Sequence, residues 1–309
     1  MVWFLGGVST IIGLYMGENF EQSNITPEQR LEAWKNGPTY LASSSSYKKT
    51  GLESIGFKNI TTISVPDEIE HAEHAEARQS RDAGGASHED PYFTEIPADV
   101  ALAKVRYLLE KENISDDSLV CALDTMPMQF KSNIGIKNMS TVWSAHHFNK
   151  PKTLEDASGM IMALFEDLIE AHKDYSSMLE KMGSISEDGR MMSERGYLRR
   201  LVRVNTGYAV RLPNTQAVEI GSSSVNLSLD EVFKTNSLVQ LQAIIDSLIE
   251  IQKDNILRIA GGIDYSNPEI RKILGVREVN LGKDSVEEGV YKGFPAEAFD
   301  NFLKRLSQK

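Results

Sequence analysis

Cysteine is almost missing from this chain: Cys121 is the only one among 309 residues. One thiol cannot form an internal disulfide, and the composition suits a reducing, cytoplasmic setting. Cys121 lies in an apolar run, Leu119-Val-Cys-Ala-Leu123, which reads as a core position rather than a nucleophile. Positive charge is also scarce. Lysine and arginine number 33 against 44 aspartates and glutamates, a formal net charge of −11. General nucleic-acid binding needs a basic footprint, so that class is excluded. A small phosphorylated ligand is not, because a local basic pocket can outweigh a distant field. No low-complexity tract and no internal repeat stands out. Met1 to Met16 is largely apolar and uncharged, and the first basic residue is Arg30. It lacks the positive start of a signal peptide and the length, ~20 apolar residues, of a membrane span. It reads as an extension packed on the domain, with a membrane an improbable partner.

What is present is ordinary for a globular protein, 41% hydrophobic and 25% charged, enough for a sizeable core. Thr26-Pro-Glu-Gln29 is a helix start with a capping box, and Asn36-Gly-Pro38 ends that helix. A strand at Tyr40, a helix, and a strand over 60–65 follow, an order that implies a parallel pair with a crossover. Residues 67–79 read as an acidic helix and 80–95 as a loop. A helix over about 98–112 leads to a strand over 118–124. Extended structure is expected over 134–148, then a long helix from Thr153 to about 180 with Ile161, Leu164, Phe165 and Leu168 at helical spacing. Leu201–Leu212 and Gln216–Leu229 form a hairpin around Pro213-Asn214. A helix over 237–253 and a last one over 295–306, burying Phe299, Phe302, Leu303 and Leu306, complete the chain. The fold class is α/β.

The most informative segment is Tyr40-Leu-Ala-Ser-Ser-Ser-Ser-Tyr-Lys-Lys-Thr-Gly-Leu52. A strand running into a helix N-terminus leaves unpaired backbone N–H groups under the positive end of the helix dipole. Ser43, Ser44, Ser45 and Ser46 add hydroxyls, and Lys48 and Lys49 add charge. These are the parts of a phosphate cradle. Taken alone, the segment reads better as a polar turn capping a surface helix.

Downstream come Leu119-Val-Cys-Ala-Leu-Asp-Thr125, Asn149-Lys-Pro-Lys152, Asn205-Thr-Gly-Tyr-Ala-Val210, Ala260-Gly-Gly-Ile263 and Gly293-Phe-Pro295. In this order the motifs resemble the Maf family of nucleoside triphosphate pyrophosphatases, whose members carry Leu-Ala-Ser-x-Ser-Pro-Arg-Arg, Ala-Asp-Thr, Gly-Lys-Pro, Thr-Gly, Ala-Gly-Gly and Gly-Leu-Pro. The resemblance spans roughly residues 39 to 306, with insertions, one of them about 183–200. It divides the chain into an extension, 1–38, and a Maf-like domain, 39–309. It implies an elongated mixed sheet with flanking helices and a central cleft, a form shared with inosine triphosphate pyrophosphatases. It also implies hydrolysis of a nucleoside triphosphate to the monophosphate and pyrophosphate with magnesium or manganese, and it leaves room for a homodimer.

The resemblance gives residues their roles. Asp124 and Glu68 would hold the metal and activate water, with Asp67 or Glu70 as alternatives to Glu68. Ser43, Ser45, Lys48, Lys104 and Lys150 would hold the phosphates. The plainer readings are a turn cap for Asp124 and a solvated charge for Lys104. This chain departs from the family at Ser46-Tyr47-Lys48, where the family has Pro-Arg-Arg, and lacks its glutamine after Ala-Gly-Gly, near Ser266 or Asn267. Lysine keeps the charge of arginine without the forked grip on phosphate. Those departures also suit a degenerate nucleotide-binding or interaction protein. His71 and His74, His146 and His147 suggest weak metal pairs that a solvated surface explains better, and Arg195, Arg199, Arg200 and Arg203 suggest an anion patch or a charge-paired surface.

Overall fold

The computed structural model describes residues 25–66, 68–69, 92–132, 141–144, 150–181, 197–279, 290–291 and 295–309. Helix α1 (Pro27–Asn36) opens on the expected capping box: Thr26 Oγ1 accepts from Gln29 N at 3.3 Å, and Gln29 Oε1 from Thr26 N at 2.9 Å. Strand β1 (Pro38–Ala42), helix α2 (Ser46–Ser54) and strand β2 (Asn59–Ile63) form the expected crossover, with β1 and β2 parallel.

Helix α3 (Tyr92–Lys111) begins earlier than its sequence predicts. Pro97 reads as a start signal but lies inside the helix. Its sixth position puts the lost N–H bond close to the helix end, where it costs least. Strand β3 (Leu119–Ser132) also exceeds expectation, running eight residues past Asp124. Strand β4 (Thr141–Ser144) pairs antiparallel with its far end. Helix α4 (Leu154–Lys181) and the hairpin of β5 (Val202–Arg211) and β6 (Val218–Leu229) match the sequence pattern. After them come α5 (Asp230–Phe233), α6 (Leu238–Gln252), α7 (Pro268–Leu274), β7 (Val276–Glu278), β8 (Val290–Tyr291) and α8 (Pro295–Ser307). Of the acidic helix expected over 67–79 only residues 68 and 69 are described, as helix, and most of the loops at 80–95 and 183–200 lie outside the described residues.

One mixed sheet joins all strands. Six follow the path β2-β1-β3-β5-β6-β7, and β4 and β8 pair at the side with β3 and β6. Side chains alternate across a strand, so each face of the sheet has its own core. On one face Val120, Ala122 and Ala209 pack on Ala101, Val105 and Leu108 of α3. The other face carries two separate cores. Leu41, Leu119, Cys121, Leu123, Tyr208 and Val210 pack on α2 and α8, through Leu52, Phe299, Phe302 and Leu303. Val202, Val204, Val225 and Leu227 pack on α4, α6 and α7, through Ile161, Phe165, Leu241, Ile245 and Ile270. The long strands β3, β5 and β6 thus carry two helical lobes side by side. Helix α1 joins the first lobe: Arg30 Nη1 donates to Ser307 O at 3.0 Å, and Lys35 Nζ lies 2.6 Å from Asp300 Oδ1.

Candidate functional site

Where the lobes meet, the sheet is incomplete. Strand β1 pairs with β3 only as far as Leu41 opposite Cys121, and β4 joins only at Gln129. Between them, along residues 123–128, β3 has a strand partner on one side alone among the described residues. Asp124 stands in this stretch, paired with Gly207 of β5. It is not at the end of the strand, as its sequence suggests; it is where the strand outruns its parallel neighbour.

The turn after β1 borders this open edge. Ser43 Oγ accepts from Ser45 N at 3.2 Å. Ser45 caps α2, yet its hydroxyl makes no capping bond. The residue is 5% exposed, and its hydroxyl has no hydrogen-bond partner among the described residues. Lys48, one turn into α2, donates from Nζ to the Leu123 carbonyl at 2.6 Å. An ammonium group thereby closes the backbone acceptor that β1 leaves unpaired.

Asp124 faces α3. Its Oδ1 lies 2.7 Å from Lys104 Nζ, and the side chains are 10% and 2% exposed. A lysine buried so deeply needs a countercharge. Gly207 lets α3 come this close, because a Cβ there would lie 2.0 Å from Ala98 N and from Pro97 C. The glycine of the Thr-Gly motif is therefore a packing requirement of the helix that carries Lys104.

On the opposite face, a polar row divides the two apolar cores. Thr125, Thr206 and Ser223 stand in register across β3, β5 and β6. The Thr125 and Thr206 hydroxyls are 3.3 Å apart, and Tyr208 OH pairs with Ser223 Oγ. The second lobe reaches over this row through two 3₁₀ turns, Ile256–Arg258 and Ala260–Gly262. Gly261 and Gly262 have φ of 74° and 71°, the left-handed region that favours glycine. Gln252 fixes the turn by donating from Nε2 to Gly262 O and accepting from Asp264 N at 3.1 Å. Asp264 accepts from the backbone and hydroxyl of Ser266 at 3.0 and 2.5 Å. Burial raises its carboxyl above the usual range, against the lowering effect of those bonds.

Lys48 reaches the Leu123 carbonyl from α2, which packs on one face of the sheet with Ser43 and Ser45 in the turn before it, whereas Lys104 and Asp124 pair on the other face, under α3. Glu68 is exposed, follows β2 on the far side of β1, and makes no hydrogen bond or ion pair with the other candidates among the described residues. Lys150 is exposed ahead of α4, followed by buried Pro151. Arg199 pairs with Asp174 at 3.2 Å, Arg203 donates to Asn226 Oδ1 at 2.9 Å, and Arg200 lies over the rings of Tyr175, Tyr197 and Phe233 at 5.0–5.5 Å. Arg199 and Arg200 belong to the second lobe's own packing, and Arg203 lies on the other face of the sheet, in register with Met128 and Asn226. Burial pushes the Cys121 thiol up to about 12, which suits a core residue. Arg195, the histidines at 71, 74, 146 and 147, and the alternative carboxylates Asp67 and Glu70 lie outside the described residues.

No cluster of three or more His, Cys, Asp or Glu side chains that could hold a metal occurs among the described residues. Asp124, the sequence-predicted ligand among them, commits Oδ1 to Lys104, and its side chain is 10% exposed. Magnesium is commonly held by one or two carboxylates, with water and phosphate oxygens completing its shell.

Two residues escape sequence reasoning. Arg258 Nη1 donates to Ser44 O at 2.8 Å, and Asn255 Oδ1 accepts from Ser46 Oγ at 2.5 Å, both reaching the phosphate-cradle turn from the other lobe. They are 214 and 209 positions away from their partners, and no local pattern marks such contacts. Among the described residues no helix is long and apolar enough to cross a membrane. No family model matches the chain, and no curated protein matches it.

Proposed function

We propose that this chain is a divergent nucleoside triphosphate pyrophosphatase of the Maf type, releasing the monophosphate and pyrophosphate, and that its split sheet is a variant of the Maf and inosine triphosphate pyrophosphatase architecture. One observation carries the reading: the Lys104–Asp124 pair is buried where β3 runs past its pairing with β1, and the adjacent Leu123 carbonyl takes Lys48 from the first turn of α2. Buried opposite charges at the end of a parallel strand pairing are what an α/β ligand site requires and what a plain core avoids.

In this reading the N–H groups at the start of α2, the Ser43 and Ser45 hydroxyls and Lys48 bind phosphate oxygens, and Lys150 adds charge from the loop before α4. Asp124 orients the attacking water, and Lys104 holds the carboxylate in place. Asp124, with Glu68 if the segment after β2 draws in, would hold a magnesium or manganese ion. When bound, that ion would polarise the phosphate and offset the charge on the leaving pyrophosphate.

A second reading has its own support. Glu68 is exposed and makes no contact with Asp124, so the second carboxylate is not assembled. A chain that binds nucleotide without turning it over would look like this. Pyrophosphate release across a panel of canonical and modified nucleoside triphosphates, with magnesium or manganese, separates the two. Metal-dependent release supports the enzyme, and binding without release supports the degenerate binder. Neither binding nor release would refute both.

A further inference from the structure

The turn after β1 has no guanidinium of its own. Tyr47, Lys48 and Lys49 follow the serines, and lysine offers phosphate a point charge rather than a fork. The second lobe brings one to the same place. Arg258 Nη1 donates to the Ser44 carbonyl, between Ser43 and the capping residue Ser45. The Asn255–Ser46 bond ties the same 3₁₀ segment to the turn at a second point. Arg258 is exposed, and its remaining donors meet no acceptor among the described residues. A guanidinium has five N–H groups in a rigid plane, so one bond to Ser44 leaves others to offer.

The electrostatics favour an anion at this point. Arg258, Lys48 and the positive end of α2 converge on a turn with no acidic residue in the first turn of the helix. A separate sign comes from Ser45. Its hydroxyl is buried at the helix cap without a partner, and such a group is costly unless something occupies it.

We infer that Arg258 is a phosphate-binding residue: it reaches across the groove and grips the polyphosphate of the nucleotide with the donors that Ser44 leaves unused. This rests on the nucleotide reading above and adds to it the source of the forked contact that the turn lacks. Occupation of the site would also draw the second lobe onto the first, since Arg258 and Asn255 bind the turn from the far side of the polar row.

Titration calorimetry of the full chain with inorganic tripolyphosphate, in metal-free buffer, tests the inference. Wild type should bind, and Arg258→Gln should bind roughly tenfold more weakly, the usual scale for a charged hydrogen bond. Arg258→Lys should fall between them, and it keeps the test available if the glutamine variant does not fold. Adding Tyr47→Arg to Arg258→Gln should restore affinity by supplying a guanidinium from the turn itself. Equal binding by wild type and Arg258→Gln overturns the inference and leaves the nucleotide reading standing. A lower melting temperature with unchanged affinity makes Arg258 a strut between lobes, and that also overturns it. If wild type neither binds tripolyphosphate nor releases pyrophosphate from any nucleotide, the nucleotide reading falls and the inference with it.

Discussion

Replacing Asp124 should do two separable things. Lys104 is 2% exposed and Asp124 10%, at 2.7 Å. Removing one partner of a buried ion pair typically costs about 3–5 kcal/mol, because the other charge stays behind without its counterpart. The unequal burial sets an order. Lys104→Met leaves a carboxylate that retains some access to water at the open edge, so its cost should sit near the lower figure. Asp124→Leu strands an ammonium with almost no access to solvent and should sit near the upper one. At roughly 2–4 °C per kcal/mol for a domain of 150–250 residues, and somewhat less here, the melting temperature should fall by about 6–15 °C. Asp124→Asn keeps an acceptor for Lys104 and should cost less. The double variant Lys104→Met with Asp124→Leu removes both charges and should recover most of the loss, as replacing a whole buried pair often does. Melting curves of the four variants give the stability order, and pyrophosphate release gives activity. The double variant should be stable and inactive, which isolates chemistry from folding. Wild-type stability in Asp124→Leu would refute the burial argument. Turnover by the stable double variant would refute any catalytic role for Asp124.

Three further outcomes follow from single positions. Gly207→Ala places a Cβ 2.0 Å from the backbone of Pro97 and Ala98, so it should cost more than the ~1–3 kcal/mol of ordinary overpacking; soluble yield and melting temperature read it, and a wild-type melt would show that α3 packs elsewhere. Burial and Arg200 hold the His172 imidazole, stacked 4.8 Å from Phe233, below its usual range. The unfolded chain therefore binds the proton first, and stability should fall as pH drops below about 6.5; His172→Phe should flatten that part of the curve, and an unchanged slope would clear His172 of it. Asp264 has the opposite sign for an acid, a raised folded value, so its ionisation costs stability once pH rises above about 4. Asp264→Asn should melt higher at pH 7 and lose the advantage near pH 4, and a lower melt at pH 7 would mean that the charged carboxylate is needed to hold Ser266.

Much of the fold was legible because it rests on local chemistry. The capping box at Thr26 and Gln29, the β5–β6 hairpin around Pro213-Asn214 and the apolar stripe of α8 need only near neighbours to form. The length of β3 did not show, and Pro127 is the reason. A proline in a run reads as a strand breaker. Backbone groups alternate in direction along a strand, and Leu123 O points to the open edge, where Lys48 takes it. Pro127 is four residues on and shares that direction, so its missing N–H removes no ladder bond. Asp124 and Lys104 stood out in the sequence, but as a metal ligand and a phosphate lysine rather than as the buried ion pair they form. Their pairing depends on α3 crossing Gly207, a close approach that spacing along the chain does not reveal. Arg258 and Asn255 carry no local signal at all, because their partners lie in the other lobe.

The location of these groups is itself an argument for function. A lysine 2% exposed, a capping serine whose hydroxyl bonds to nothing, and hydroxyls across three strands that keep two apolar cores apart all occur around one short stretch of β3. Each costs stability that an apolar residue would not. Dispersed over the molecule they would be ordinary imperfections. They lie instead on the two faces of the stretch of β3 between its pairings with β1 and β4, which has no partner on that side among the described residues. An unpaired edge invites some other group to complete it, and proteins usually cover such edges with charge or a neighbouring element. Here a lysine side chain does so from a helix N-terminus, with an arginine from the second lobe held a few residues away on the same turn. In a chain of net charge −11 this concentration of cations is opposed to the overall field. Beyond about 8 Å at physiological salt that field is screened, so an anion entering the groove would be governed by the nearby lysines, arginine and helix end.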